Sequence, residues 1–358
     1  MNNSSFNNPP LNASNKVTLK EIAREANVSI STVSRVLNGR GKSAAGREVS
    51  ERIWEIVNRT NYIPNKAAQS LRSANRGKGE LHGSIECLLA RMPFSEKDQF
   101  FSELARSVEF EANSLGYDVK YSFTTKSLYN REAMSELSSC HADGIIIMGR
   151  CDKQVFSLLN QQFKSICYVG LNQLNGSCDQ VICDGMEASK SAVNFLISLG
   201  HRHIGYVGEI QDEIRYLGYR NAMIENGIPT DSRLAKNVKL SYKGGYEGAK
   251  ALISSSGGSI TALFCANDNT AIGAMSALQE MGLSVPKDVS VIGVDNIATS
   301  RYLTPSLTTI AIPIEEMGKT AAKLLHDRIR GGHQVQIKAM LPSKIEIRES
   351  CMKLKTAK

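Results

Sequence analysis

Hydrophobic positions change their period along this chain. In VTLKEIAREANVSISTVSRVLNG, Val17 to Gly39, they recur at helical spacing. Leu19, Ile22, Ala23 and Ala26 share one face, which predicts a helix over about 19–26. Asn27-Val28-Ser29 breaks it: asparagine tolerates the turn conformation, and the Ser29 hydroxyl can cap the helix that follows. That second helix runs to about Leu37, with Val33, Val36 and Leu37 turned inward, and Asn38-Gly39 stops it. Ile30, Ser31, Thr32, Ser34 and Arg35 are left facing outward. Two helices this short cannot bury both faces. A capped helix carrying hydroxyls and an arginine suits the DNA major groove. A third helix is predicted over about 47–60, with Val49, Ile53, Ile56 and Val57 on one face and Trp54 beside them. Pro64 ends that unit. The segment Lys66–Ser73, KAAQSLRS, can be capped by Asn65 but has only Ala67, Ala68 and Leu71 to pack. Such a helix is marginal alone in water and is expected to form against a partner. Residues 74–81 read as linker.

From His82 onward, apolar strand-like runs alternate with amphipathic helices. The runs are Ser84–Ala90, Asp118–Phe123, Gly144–Met148, Ser165–Val169, Val181–Cys183, His203–Val207, Ala262–Cys265 and Val289–Val294. Helical spacing falls between them, for instance over Phe100–Leu115, Ala188–Leu199, Gly244–Ile253 and Asn269–Met281. This alternation predicts parallel sheets covered by helices on both faces, with binding sites at the carboxyl ends of the strands. The stretch is too long for one such sheet, so two similar lobes are expected.

Charge sharpens this division. Residues 1–80 hold 13 Lys and Arg against 6 Asp and Glu, whereas residues 81–358 hold 30 against 29. A basic head on a near-neutral body is the electrostatic footprint of a nucleic-acid-binding module. The first 15 residues are rich in Asn and Ser, lack the basic-then-apolar order of a signal peptide, and read as a disordered tail. No run of about 18 apolar residues predicts a membrane span. The eight cysteines form no CxxC. Cys87, Cys167, Cys183 and Cys265 sit in apolar runs and read as buried thiols in a reducing, cytoplasmic setting. His201 and His203 lack a carboxylate cluster and read as structural, not as a metal pair.

Taken in order, VTLKEIAREANVSISTVSRVLNG, NYIPNKAAQSLR, SLGHRHIGYVG, CANDNTAIGAMSAL, VPKDVSVIGVDN and LTTI resemble the LacI/GalR family of bacterial transcription regulators over about residues 16–350. The resemblance implies an N-terminal all-α helix-turn-helix headpiece (16–63), a hinge helix with its linker (64–81), and an α/β core of two doubly wound lobes like the type I periplasmic binding proteins (82–350). Lobe 1 would span about 82–183 and 312–342. Lobe 2 would span about 184–311 and 343–350, leaving 351–358 as a tail. The loop after Asn38 is two residues longer than the family's usual one.

By this similarity Ile30, Ser31 and Arg35 occupy base-reading positions, and Leu71 matches the hinge leucine wedged into the minor groove, with Arg72 beside it. Arg35 can donate two bonds to guanine, worth about 1–3 kcal/mol of discrimination. Thr18, Ser29, Thr32, Ser34 and Asn38 suit phosphate contacts. Arg215 matches the family's ligand-clamping arginine, Asp295 a ligand acceptor, and Phe100 and Phe101 its first-lobe aromatic wall. Asn267 follows a buried strand, and Asn172 and Asp184 correspond to further pocket positions. Asp268 reads as a helix cap. The expected partners are a near-palindromic double-stranded operator, a small sugar-like effector and a second copy of the chain. No metal or other cofactor is expected.

The leading reading is a repressor released by its effector. Within the same family, a purine-type corepressor or a phosphoprotein partner would act with the opposite sign. A sugar-binding transport protein is opposed by the basic head. A nucleotide-dependent enzyme is opposed by LLARMPFSEKD after the first strand, which has no GxGxxG, and by the lack of a phosphate loop or Ser/His/Asp arrangement.

Overall fold

The computed structural model describes residues 19–37, 49, 52, 53, 56, 83–90, 98–123 and 142–354. The expected tail at 1–15, Thr18, Asn38, Trp54, Val57 and the hinge with Leu71 and Arg72 lie outside the described residues, as do the side chains of Ser34, Arg35 and Leu37. The chain divides into two compact units, residues 1–79 and 80–358. None of the described helices is long and apolar enough to cross a membrane.

In the first unit, α1 (Leu19–Glu25) and α2 (Ile30–Leu37) flank a tight turn in which Asn27 adopts a positive φ of 54°. Ile22, Ala23, Ala26, Val33 and Val36 form one buried cluster with Ile53 and Ile56 of a third helical segment. The Arg52 guanidinium reaches back to the Ala26 carbonyl at 3.5 Å.

The second unit contains two six-stranded sheets. In the first, the order is β11-β5-β4-β3-β1-β2, built from β1 (Gly83–Leu89), β2 (Tyr117–Phe123), β3 (Gly144–Met148), β4 (Ile166–Gly170), β5 (Asp179–Ile182) and β11 (Lys338–Met340). In the second it is β12-β10-β9-β8-β6-β7, from β6 (Ile204–Gly208), β7 (Ala235–Asn237), β8 (Ala262–Cys265), β9 (Ser290–Asp295), β10 (Thr308–Ala311) and β12 (Lys344–Glu346). All pairings are parallel except β10 with β12.

The helices are α3 (Gln99–Ser114), α4 (Lys153–Gln162), α5 (Gly185–Ser198), α6 (Ile214–Glu225), α7 (Tyr242–Ser255), α8 (Asp268–Glu280) and α9 (Ile314–Ile329). They cover both faces of each sheet, which is why the central strands are apolar throughout and not alternating. In β3, Ile146 and Met148 join the cluster holding Leu104 of α3 and Leu325 of α9. Ile145 and Ile147 point the other way, into a cluster with Val155, Phe156 and Leu159 of α4. In β8, Phe264 packs with Tyr219 and Leu196, while Leu263 and Cys265 pack with Leu252 and Leu278. Lobe 1 is the first sheet with its helices and lobe 2 the second. The chain crosses between β5 and α5, returns after β10, and crosses again between β11 and β12.

Two sequence readings need correction. Residues 351–354, read as part of a tail, are held against lobe 2. Met352 N–H donates to Ser290 Oγ at 3.2 Å and Leu354 N–H to the Leu199 carbonyl at 2.8 Å, just after Ser350 pairs with Val291. Backbone pairing of this kind leaves no hydrophobic pattern to read. Ile30, placed on the outer face of α2, is half-buried and leans on the headpiece cluster. The spacing explains it: Ile30 stands one helical turn before buried Val33.

Candidate functional site

Two regions concentrate polar groups that the packing does not consume. The first is the start of α2. Ser29 Oγ accepts from Thr32 N–H at 3.1 Å, which makes Ser29 the cap of the helix. The same hydroxyl lies 2.7 Å from Ser31 Oγ and 2.8 Å from Thr32 Oγ1. Three hydroxyls therefore crowd a helix N-terminus, where exposed N–H groups and the helix dipole favour an anion such as a phosphate.

The second region lies at the carboxyl ends of the strands, where the lobes meet. On lobe 2, Arg215 opens α6 and is buried. Its Nε and Nη2 donate to the two carboxylate oxygens of Glu213 at 2.7 and 3.1 Å, and Nη1 donates to the Ala266 carbonyl at 2.8 Å. Burial works against the guanidinium charge, but Glu213 and Asp295 more than offset it. Glu213, also buried, is held below the usual carboxylate range because the pull of Arg215 outweighs desolvation.

Asp295 ends β9, is 5% exposed, and adopts a φ of 117°. Asn296 follows with a φ of 58°. Left-handed backbone at a non-glycine residue costs about 1–3 kcal/mol and clusters at functional sites. None of the described residues hydrogen-bonds the Asp295 carboxylate. Burial pushes its pKa well above the ordinary value, Asp268, Asp98 and Glu213 add to the rise, and Arg215 opposes it.

The cap expected of Asp268 falls to its neighbour Asn267. Asn267 is the cap of α8: its Oδ1 accepts from Thr270 N–H at 2.9 Å and from Thr270 Oγ1 at 2.6 Å. Asp268 is the first helical residue, wholly buried, and ties α8 to neighbouring segments by accepting from Thr309 Oγ1 at 2.5 Å and Ile297 N–H at 3.0 Å. Burial pushes its pKa up to about 7 against those two bonds. Asp184 caps α5, accepting from Met186 and Glu187 N–H at 2.8 and 3.3 Å. Asn172 lies half-buried in the loop after β4.

On lobe 1, Phe100 and Phe101 meet edge to face at 5.2 Å. Phe100 belongs to the core cluster, and Phe101 is only partly buried against it. Phe101 lies over Gly149, at the end of β3, where an added Cβ would come within 2.7 Å of its ring. Gly149 has a φ of 82°, so both conformation and space require glycine there.

The structure also brings in three residues that pattern reading passed over. Asp98 caps α3 through Phe101 N–H at 3.2 Å, and its other carboxylate oxygen accepts from Asn269 Nδ2 of lobe 2 at 3.3 Å. Nearby, Thr299 Oγ1 donates to Gln99 Oε1 at 3.0 Å, a second bond between lobes. Arg150, just after β3, pairs with Glu209 of lobe 2, donates to the Asp212 carbonyl, and stands 3.6 Å from Glu213. Glu213 is thus shared by an arginine from each lobe. The one signal in sequence was position: Arg150 and Thr299 follow strand ends, and Asp98 precedes a helix.

His201, by contrast, is spent on structure. Its Nδ1 lies 2.9 Å from Thr261 Oγ1 and its Nε2 3.1 Å from the Met352 carbonyl, and burial lowers its pKa. Among the described residues no group of His, Cys, Asp and Glu could hold a metal ion.

Comparisons with known proteins agree on the architecture. Residues 18–65 match the bacterial regulatory proteins of the lacI family, and residues 193–351 match the periplasmic binding protein-like domain. The HTH-type transcriptional repressor PurR of Escherichia coli O1:K1 / APEC is 31% identical, over 87% of this chain and 90% of PurR. A LacI family transcriptional regulator from Enterococcus faecium with bound ribose superimposes with a TM-score of 0.67 at 30% identity, covering 75% of this chain and 100% of that one. The lac repressor dimer bound to operator and the anti-inducer ONPF gives a TM-score of 0.66 at 25% identity, covering 94% and 99%. The helix-turn-helix pair, the two-lobed core and these likenesses place the chain in the lacI family of bacterial regulatory proteins, as a DNA-binding transcriptional regulator.

Proposed function

We propose that this chain is a homodimeric repressor whose grip on a near-palindromic operator is set by a small polyhydroxylated effector held between the lobes. The observation that carries the reading is Asp295: a buried carboxylate on strained backbone, without a hydrogen-bond partner among the described residues, beside a preorganised Arg215–Glu213 pair. Vicinal hydroxyls supply the donors Asp295 lacks, Arg215 supplies donors for ring or hydroxyl oxygens, and Phe101 supplies an apolar wall. One likeness supports the class: the 30%-identical regulator from Enterococcus faecium carries bound ribose.

On the DNA side, Ser31 and Arg35 read base edges, while Thr18, Ser29, Thr32, Ser34 and Asn38 grip phosphates. Ile30 offers the apolar contact its exposed half allows. Leu71 wedges the operator centre with Arg72 alongside. A ligand that binds one lobe arrangement better by a few kcal/mol sets how well the protein holds its operator. The protein works by binding and carries out no chemistry.

The experiment is selection of a preferred duplex from random DNA, followed by titration with sugars at fixed salt. A sugar that weakens binding identifies an inducer, and one that strengthens it a corepressor. No salt-sensitive preference for any duplex sinks the reading. Arg35→Ala is expected to relax choice at one symmetric base pair, by about 1–3 kcal/mol, and not to weaken all sites alike.

A further inference from the structure

The Arg150 guanidinium of lobe 1 finds its partners in lobe 2. Arg150 stands in the short link between β3 and the Asp152 cap of α4. Both ends of that link are fixed: Gly149 N–H donates to the Val169 carbonyl at 2.9 Å, and Asp152 Oδ1 accepts from Val155 N–H at 2.8 Å. From there the guanidinium enters the loop after β6, residues 209–213. It pairs with Glu209, donates to the Gln211 carbonyl at 3.5 Å and to the Asp212 carbonyl at 2.5 Å, and lies 3.6 Å from Glu213. Lobe 2 builds the socket itself. Tyr206 Oη donates to the Glu209 carbonyl at 2.6 Å, and Asn237 Oδ1 accepts from Ile210 N–H at 3.0 Å. Asp212 has a left-handed φ of 51°, a strained setting that persists only where surrounding contacts hold it. Glu213 then leaves the loop to bind Arg215.

Parting the lobes would strand no buried charge here. Glu213 would keep both bonds from Arg215, and the Glu209 side chain, already 32% exposed, would turn to water. A buried pair that leaves an orphaned charge when broken is a permanent staple, whereas this one can open and re-form. Its place gives it leverage. The chain crosses between the lobes at β5, β10 and β11, and in the second sheet β6 stands three strands from β10, about 14 Å at the usual strand spacing. Rotation about the crossings therefore moves the loop after β6 further than Thr299, which follows β9, the neighbour of β10. Charge also sets the contact apart: across the cleft Asp98 meets the neutral Asn269, and Gln99 the neutral Thr299, but Arg150 meets carboxylates.

We propose that Arg150 is a positioning residue, a salt-sensitive latch that holds the lobes closed before any effector arrives and fixes the loop that presents Glu213 to Arg215. The effector-free protein is then closed, and a ligand shifts lobe closure only by what it adds to the latch or takes from it. The proposal adds a regulation to the effector-gated reading given above. Its test reads lobe separation directly, so it can fail while that reading stands.

The test uses the full-length protein without effector or DNA. Nitroxide labels are carried on non-canonical residues at Leu158 of α4 and Leu217 of α6, both exposed. Labelled chains are diluted with unlabelled ones, so that pulsed dipolar spectroscopy reads distances within one chain. The parent should show one short distance at about 0.1 M salt. A longer one should grow at about 1 M, where the Debye length falls from about 10 Å to about 3 Å. Arg150→Met, which keeps an apolar stem, should lower the ratio of short to long populations by about tenfold at low salt and respond no further to added salt. Arg150→Lys keeps the charge without the fork and should fall between the two. Glu209→Ala should open the parent but add nothing to Arg150→Met, the mark of a shared contact. A distance unchanged in Arg150→Met, or a parent already at the long distance in low salt, overturns the latch. So does an effect of Glu209→Ala that adds in full to that of Arg150→Met. If Arg150→Met shows no unfolding transition, the parent decides alone: populations that are equal at the two salt concentrations overturn the proposal.

Discussion

Asp179 and Asp295 are the same residue type, both buried, on parallel strands of sister lobes, and the protein treats them in opposite ways. Asp179 opens β5, at the amino edge of its sheet. It accepts from Arg328 Nη2 at 2.7 Å and from Arg328 Nε, from Ile337 N–H at 2.8 Å, and from His333 Nε2 at 2.9 Å. Burial alone would raise its pKa, but these donors outweigh it and leave the carboxyl below its usual range. Asp295 closes β9, at the carboxyl edge, and receives no such bonds, so burial wins and its pKa rises. The difference marks which end of the fold is structural and which is open to a ligand. In open α/β sheets ligands meet the carboxyl ends of strands. A buried acid satisfied at the other end fixes the chain's return through β11, and one whose oxygens stay open at this end can take donors from outside.

The largest effect should come from breaking the satisfied member. Asp179→Ala strands the Arg328 guanidinium and the Ile337 N–H together and frees the loop that leads into β11. Removing one partner of a buried pair costs about 3–5 kcal/mol. Urea unfolding should show the core destabilised by that amount, with the effector response of the remaining folded protein intact. A loss no larger than that of a surface substitution would erase the contrast between the two aspartates.

Asp295→Asn should do the reverse. Its folded pKa lies above the unfolded value, so as pH rises through the ordinary aspartate range the unfolded chain releases its proton while the folded one keeps it. Native Asp295 therefore lowers stability progressively up to its folded pKa. The asparagine variant should match the parent in acid and exceed it at neutral pH, by about 0.5–2 kcal/mol, as residues kept for function at a cost to stability do. It should also lose the effector response. A variant less stable at every pH would mean that Asp295 is held by partners after all.

The same two residues show what sequence could and could not carry. The helix pair of the headpiece was legible because its spacing, the Asn27 turn and the Ser29 cap are local. The strands were legible because two-sided burial makes GIIIM and ICYVG apolar throughout. Ile30 misled because a position one turn from Val33 can serve either face. Polar roles were harder. Asp184, Asn267 and Asp268 all precede or open helices, and nothing local tells a cap from a ligand contact; Asn267 took the cap and Asp268 a cross-segment bond. Arg150, Glu213 and Asp98 owe their places to partners tens of residues away or more across the lobes, as Asp179 does to Arg328, 149 positions later. Such pairings exist only once the topology is known.

The smallest effect tests the satisfied cluster through its histidine. His333 Nδ1 lies 2.6 Å from Asp327 Oδ2 and its Nε2 lies 2.9 Å from Asp179 Oδ2. A ring that faces a carboxylate at both nitrogens must donate from both, which only the imidazolium can do. Asp327 first and Asp179 second accordingly raise its pKa. A folded pKa above the unfolded value gives stability that is fully present below the unfolded value and lost as pH rises through the folded one. His333→Ala should therefore lower the melting temperature most at about pH 5–6 and converge with the parent by about pH 9. Asp295→Asn should give the opposite profile, equal to its parent in acid and above it at neutral pH. If His333→Ala instead lowered the midpoint equally at every pH, the ring would act there by packing alone, and the donors that settle Asp179 would reduce to Arg328 and one backbone N–H.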